Sequence, residues 1–177
     1  MNRRAFLATA CSGAVAGCSG RLLGPKLDRT AIADHLRDYV NEARTDRGVG
    51  YFATDEKLVK VARYHAEDML DDSYLRMTSP DGETLADRYR KFDYSCGGVP
   101  ADSDGPRVGN AVLFKIGFDS GSYTEAEVAR RLFDRLLASP EKKELAFWDV
   151  WDAQGTGAAV GTDAGGRTLV YAAQCYC

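Results

Sequence analysis

The sequence predicts an α+β domain, on two observations. Helical stripes fill the earlier part of the chain, and alternating strand patterns crowd into its last quarter. Strands that come late and together do not interleave with helices as a doubly wound parallel sheet requires, so an α+β or helix–sheet–helix arrangement fits better. Once residues 1–17 are set aside as a leader, 160 residues remain, which is one domain with room for a real core.

The elements follow in chain order. Ile32, Leu36, Tyr39/Val40 and Ala43 recur at helical spacing, which predicts a helix from Asp28 to Arg47, stopped by Gly48. Leu58, Val61/Ala62, His65 and Met69 predict a second helix over Asp55–Asp71, with Thr54 as cap and Asp55 and Glu56 at its positive end. Ser79-Pro80-Asp81-Gly82 is a turn, with a short helix expected from Glu83 to Lys91. Residues 97–107 are a Gly/Pro/Asp loop. Asn110–Phe118 is apolar enough for a buried strand. Thr124-x-x-Glu127 has the form of a capping box for a helix reaching Ser139. A short charged turn is expected at Glu141–Glu144. Gln154–Gly161 and Arg167–Gln174, joined by residues 162–166, predict a closing β-hairpin.

The first residues carry an address. Arg3-Arg4 ahead of Phe6-Leu7, a small apolar run and Val15-Ala16-Gly17-Cys18 form a basic region, a short hydrophobic region and a small-residue cleavage site. The arginine pair resembles a twin-arginine export signal, whose pathway carries folded proteins. The ending resembles a lipobox, in which Cys18 takes the lipid and becomes the new N-terminus. A plain cleaved signal or a membrane span is the other reading, but the apolar run falls short of the roughly 20 residues that span a bilayer. The expected division is therefore residues 1–17 as export signal, 18–27 as lipidated Cys and tether, and 28–177 as the domain. The expected location is the outer face of the cytoplasmic membrane, with the membrane as partner through the lipid on Cys18.

Charge narrows the partners. The chain carries −3, and −5 without the leader and its two arginines, which argues against nucleic acid. Of five cysteines, Cys11 leaves with the leader and Cys18 is expected to carry lipid. Cys96, Cys175 and Cys177 remain, enough for one disulfide and one odd thiol in an oxidising compartment. Cys175 and Cys177 stand two apart on an expected strand, share a face and compete for Cys96.

Several segments together resemble the CAP superfamily of cysteine-rich secretory, antigen 5 and pathogenesis-related 1 proteins. They are Val40-Asn41-Glu42-Ala43-Arg44 with Arg47-Gly48-Val49, Ala62–Met69, Thr78-Ser79-Pro80-Asp81-Gly82, Asp87-Arg88, Asn110, Ser139-Pro140 and Gln174–Cys177. They run in the family's order and cover nearly the whole domain. The resemblance implies an α–β–α sandwich around a central antiparallel sheet. It also implies a Cys96–Cys177 disulfide, because the family's last Cys aligns with Cys177.

The departures from that pattern bear on function. The resemblance implies a cleft of two His and two acids able to take a divalent cation. Met77 and Lys142 stand where the two His belong, Gly109 where one Glu belongs beside Asn110, and only Glu127 (or Glu125) is left as the second acid. A thioether is a weak zinc ligand and a charged ammonium is none, so no metal and no cofactor are expected. Reverting Met77, Lys142 and Gly109 to His, His and Glu is expected to restore some affinity. His65 lies on an apolar helix face and is read as structural, and His35 as a solvent or packing residue. No nucleophile elbow, His-Glu-x-x-His or phosphate loop occurs. The Glu67, Asp68, Asp71 and Asp72 run is read as a solvated helix end, and Trp148 and Trp151 as core or pocket lining.

The resulting expectation is a lipid-anchored, extracytoplasmic, non-catalytic binding module with a degenerate cleft formed by Met77, Gly109, Asn110, Glu127 and Lys142. Its partners would be an envelope protein, lipid or polymer. The alternatives are a hydrolase-like domain acting on an envelope polymer or peptide, with Lys142 or Glu127 replacing the lost His, and a lipid or sterol carrier.

Overall fold

The computed structural model describes residues 27–96, 109–119, 121 and 123–177. The leader, Cys18 and the tether up to residue 26 lie outside the described residues, as does the whole 97–107 loop. The order is α1 Arg29–Asp46, β1 Ala53–Thr54, α2 Glu56–Asp71, α3 Leu85–Lys91, β2 Asn110–Phe118, α4 Glu125–Ala138, α5 Pro140–Phe147, β3 Ala153–Thr162 and β4 Thr168–Tyr176. The sheet runs β1-β3-β4-β2.

Side-chain alternation on the strands builds two apolar layers. Val112, Phe114, Ile116 and Phe118 of β2 pack with Ile32, Leu36 and Val40 of α1 and Val128, Leu132 and Leu136 of α4. Ala111, Leu113, Tyr171, Ala173 and Cys175 face Leu58, Val61 and Met69 of α2 and Tyr89 of α3. The result is the expected sandwich, helices on both faces of one sheet.

Local chemistry sets the ends. Asp28 caps α1 by accepting from the amides of Thr30 and Ala31, and Gly48, at φ +72°, turns the chain away past its end. Thr84 with Asp87, and Thr124 with Glu127, are reciprocal capping boxes. Gly155 and Gly157 let α2 lie directly on β3. A Cβ on Gly157 would sit 2.1 Å from the Arg63 amide nitrogen, and one on Gly155 2.0 Å from the Leu58 carbonyl carbon.

Several features differ from expectation, among them the end of the last strand, Tyr176 in place of Gln174. Asp55, not Thr54, caps α2, because Thr54 belongs to β1. The third helix begins at Leu85, two residues late, since its cap is Thr84. The charged turn at Glu141–Glu144 is part of α5, begun by Pro140 at its first position and capped by Ser139. The sheet is antiparallel except at β1, which adds two residues parallel to β3, Ala53 opposite Ala153 and Thr54 opposite Gln154.

Candidate functional site

A groove of about 350 Å³ follows the outer edge of β2, between that strand, α5 and the loop after α2. Leu75, Met77, Leu113 and Leu145 give it an apolar lining, with Arg76, Glu141 and Lys142 among them. β2 is a terminal strand of the sheet, so one row of its backbone groups has no strand partner. Two cations take up carbonyls of that row. Lys142 Nζ donates to Leu113 O at 2.7 Å, and Arg135 donates to Lys115 O at 3.0 Å. Burial, with Arg135 adding to it, lowers the Lys142 pKa. Its ammonium also lies 5.1 Å from the centroid of the Phe114 ring.

Met77 is held from behind. Its carbonyl accepts from Arg88 at 2.7 Å. Arg88 is fully buried and also meets Asp68 at 3.0 Å, Glu83 at 3.3 Å and the Tyr74 hydroxyl at 2.9 Å. Two carboxylates around one buried guanidinium satisfy a charge that would otherwise be prohibitive. Asp68 is thus an internal counter-ion, a correction to the solvated-face reading, and Glu67 pairs with Arg29. His65 is fully buried next to this network, its Nε2 3.1 Å from the Arg76 carbonyl and its Nδ1 without a partner. Burial, reinforced by the Arg88 charge, lowers its pKa to about 4, so the ring is neutral. It orients the 74–77 loop and does not line the groove.

The other expected cleft residues, Gly109, Asn110 and Glu127, do not line the groove with Met77 and Lys142. Glu127 stands at the start of α4, where Thr124 donates its amide and hydroxyl to the carboxylate and lowers its pKa. The eleven steps of helical rise from Glu127 to Ala138 put about 16 Å of helix between it and the α5 end. Glu125 accepts from the Asp28 amide instead. Asn110 is exposed and accepts from the amide of Ala111, the next residue. Gly109 has no space for a side chain: a Cβ there would lie 2.4 Å from Tyr176 O and 2.5 Å from the Tyr89 hydroxyl. The expected reversion to Glu at 109 is therefore incompatible with the packing. Leu75, Arg76, Glu141 and Leu145 line the groove without having been singled out by sequence. Their only signal was adjacency to Met77 and Lys142.

Cys96 and Cys177 are bonded, with Cα atoms 5.3 Å apart, and Cys175 is a free, fully buried thiol whose pKa burial pushes up to about 12. Trp151 is core, stacked on Tyr176 with its indole N–H donating to Leu145 O. Trp148 is half exposed, and neither tryptophan lines the groove. Among the described residues no group of three or more His, Cys, Asp or Glu side chains is placed to hold a metal ion, and no helix is long and apolar enough to cross a membrane.

With this geometry in place, the chain is similar to two solved structures. An SCP-domain extracellular protein of Bacillus anthracis superposes with a TM-score of 0.57 at 18% identity, over 84% of this chain and 40% of that one. An outer surface protein of Borrelia burgdorferi gives 0.56 at 20% identity, over 86% and 98%. At such identities the likeness concerns the fold. The chain corresponds to less than half the length of the Bacillus protein. No curated protein sequence matches. The family model for the cysteine-rich secretory protein (CAP) family matches residues 37–176, and the chain belongs to that family.

Proposed function

We propose that this chain is an extracytoplasmic CAP domain, held at the outer face of the membrane by lipid on Cys18, that binds an envelope component through the β2 groove without transforming it. The observation that carries this reading is the engagement of Lys142. Where the family pattern puts a histidine, the ammonium is committed to Leu113 O and roofs Phe114. A group so tied neither ligates a cation nor takes up a proton. The hydrolase reading needs Lys142 or Glu127 as acid or base, and Glu127 is committed to its helix cap 13 residues before the start of α5. The lining of Leu75, Met77, Leu113 and Leu145, with Arg76 and Lys142 beside it, suits an apolar group that carries an acidic one. The names of the Bacillus and Borrelia proteins, extracellular and outer surface, support the location.

The test uses the full chain with a photo-crosslinking residue at Leu75, on the groove rim, or at Thr168, on the far end of β4. Adducts to an envelope component are expected from the first position and not the second. Turnover of an envelope polymer or peptide that falls with Lys142→Met or Glu127→Gln would replace the binding reading by the hydrolase one. The anchor is tested separately. Cys18→Ser should release the protein from the membrane fraction or leave an unprocessed precursor, and wild-type partitioning of a processed mutant would sink it.

A further inference from the structure

A second recess lies at the opposite edge of the sheet, where α1 and α2 close over the outer side of β3. It holds about 60 Å³, and its walls carry Arg29, Asp34 and Arg37 from α1, Arg63 from α2 and Thr156 at the floor. We propose that it binds a single phosphate group, free or on a lipid headgroup.

The floor supplies donors. β1 covers β3 only at Ala153 and Gln154. Gln154 O accepts from the Asp55 amide on this outer side, so Thr156 and Ala158, two and four residues on, turn both their N–H and their C=O groups the same way, beyond the end of β1, and the N–H groups are the ones an anion would use. The buried Thr156 hydroxyl has no hydrogen-bond partner either.

The walls supply charge. Arg29 is paired with Glu67, and Arg37 with Asp34 at 2.6 Å and Asp38 at 3.0 Å. Arg63 makes no ion pair or hydrogen bond among the described residues, and Gly157 brings its backbone onto the strand edge. Among the lining residues three guanidiniums face one carboxylate, in a chain whose net charge is −3. Asp34 opposes an anion but is already held by Arg37.

Planar forks approaching from two helices, with amides below, match the several oxygens of a phosphate better than the two of a carboxylate. The volume is far below the roughly 300 Å³ at which drug-sized pockets begin, so only a small group enters. The headgroup source rests on the proposed anchor at Cys18, and the free-ion source does not.

Arg63→Gln is the clean variant, because Arg63 has no ion pair or hydrogen bond among the described residues and its loss should leave the melting temperature in phosphate-free buffer unchanged. Calorimetry and amide chemical shifts of the full chain with inorganic phosphate should show binding that acetate does not match, weakened roughly tenfold or more by the substitution. Phosphatidylcholine vesicles with and without phosphatidylglycerol, offered to both variants, separate the sources, since both variants share the leader. A response to inorganic phosphate alone assigns a free phosphate. A phosphatidylglycerol response that Arg63→Gln loses assigns a headgroup. Equal behaviour of the two variants towards both probes, or acetate bound as tightly as phosphate, overturns the site.

Discussion

The two edges of the sheet solve the same problem differently. Each presents backbone groups with no strand partner, and each has helices close by. At the β2 edge Lys142 and Arg135 donate into the carbonyl row from α5 and α4, and the groove beside it is wide and largely apolar. At the β3 edge α1 and α2 close over the strand and leave a small, arginine-walled crevice whose outward amides take no partner among the described residues. An edge guarded by its own cations resists strand addition, whereas one covered by helices keeps its donors for something small. Chemistry of the edge, more than the shared sandwich, separates the two sites.

The comparison breaks most severely when the frame shared by both edges is loosened. The Cys96–Cys177 bond closes a loop with a sequence separation of 81, for which chain entropy gives roughly 4–5 kcal/mol. Cys96→Ser with Cys177→Ser should lose stability of that order in urea unfolding, at both edges alike. A loss under 1 kcal/mol would show that the strands do not depend on it.

Alanine at one glycine on each edge strand sharpens the contrast. Gly157→Ala drives a methyl group into the Arg63 backbone of α2, which cannot swing aside, and should cost about 3 kcal/mol or more. Gly117→Ala on β2 meets only the ends of Leu169 and Arg167, at 3.1 and 3.4 Å, and should cost under about 1 kcal/mol. Equal losses would mean that α2 does not rest on β3 as described.

Acidification reaches the support of the β2 groove first. His65 has a folded pKa of about 4 against 6.5 unfolded. Below pH 6.5 the unfolded chain therefore takes up a proton that the folded one refuses until about pH 4. Stability falls through that window, by up to about 3 kcal/mol. Relative to His65→Gln, the wild type should lose its advantage between pH 7 and pH 4. A difference independent of pH would show the imidazole to be solvated.

The smallest effect is at Lys142. Lys142→Met keeps the stem and bares Leu113 O, at a cost of about 1 kcal/mol. Its clearer readout is sedimentation, where the unguarded β2 edge should promote self-association. A strictly monomeric mutant at high concentration would remove the guarding role.

How much of this could be read from the sequence depends on whether the information is local. The stripes of α1 and α2, the strand Asn110–Phe118 and the cap at Thr124 are local patterns, and they map onto the structure within a residue or two. β1 escaped because two residues gain strand character only from a distant parallel partner. α5 escaped because the run Glu141–Glu144 has no apolar stripe to reveal it. Glu127 is more instructive. The same Thr-x-x-Glu spacing that predicts the cap already spends its carboxylate, so it could not also serve a cleft. The role of Lys142 needs the knowledge that β2 is terminal, and the crevice joins residues 29, 37, 63 and 156, which nothing in the linear order brings together.

Cys175 has a consequence for the order of events in the life of the chain. Cys175 and Cys177 are equal rivals for Cys96 in an unfolded chain, and an oxidant acting there would produce mixed pairings. After folding, Cys175 is sealed inside the α2 face with its thiol protonated, and only Cys177 can reach Cys96. Correct pairing is therefore favoured when the chain folds first and is oxidised second. A leader that delivers the chain already folded to an oxidising compartment, as the resemblance at Arg3-Arg4 implies, would impose that sequence without an isomerase.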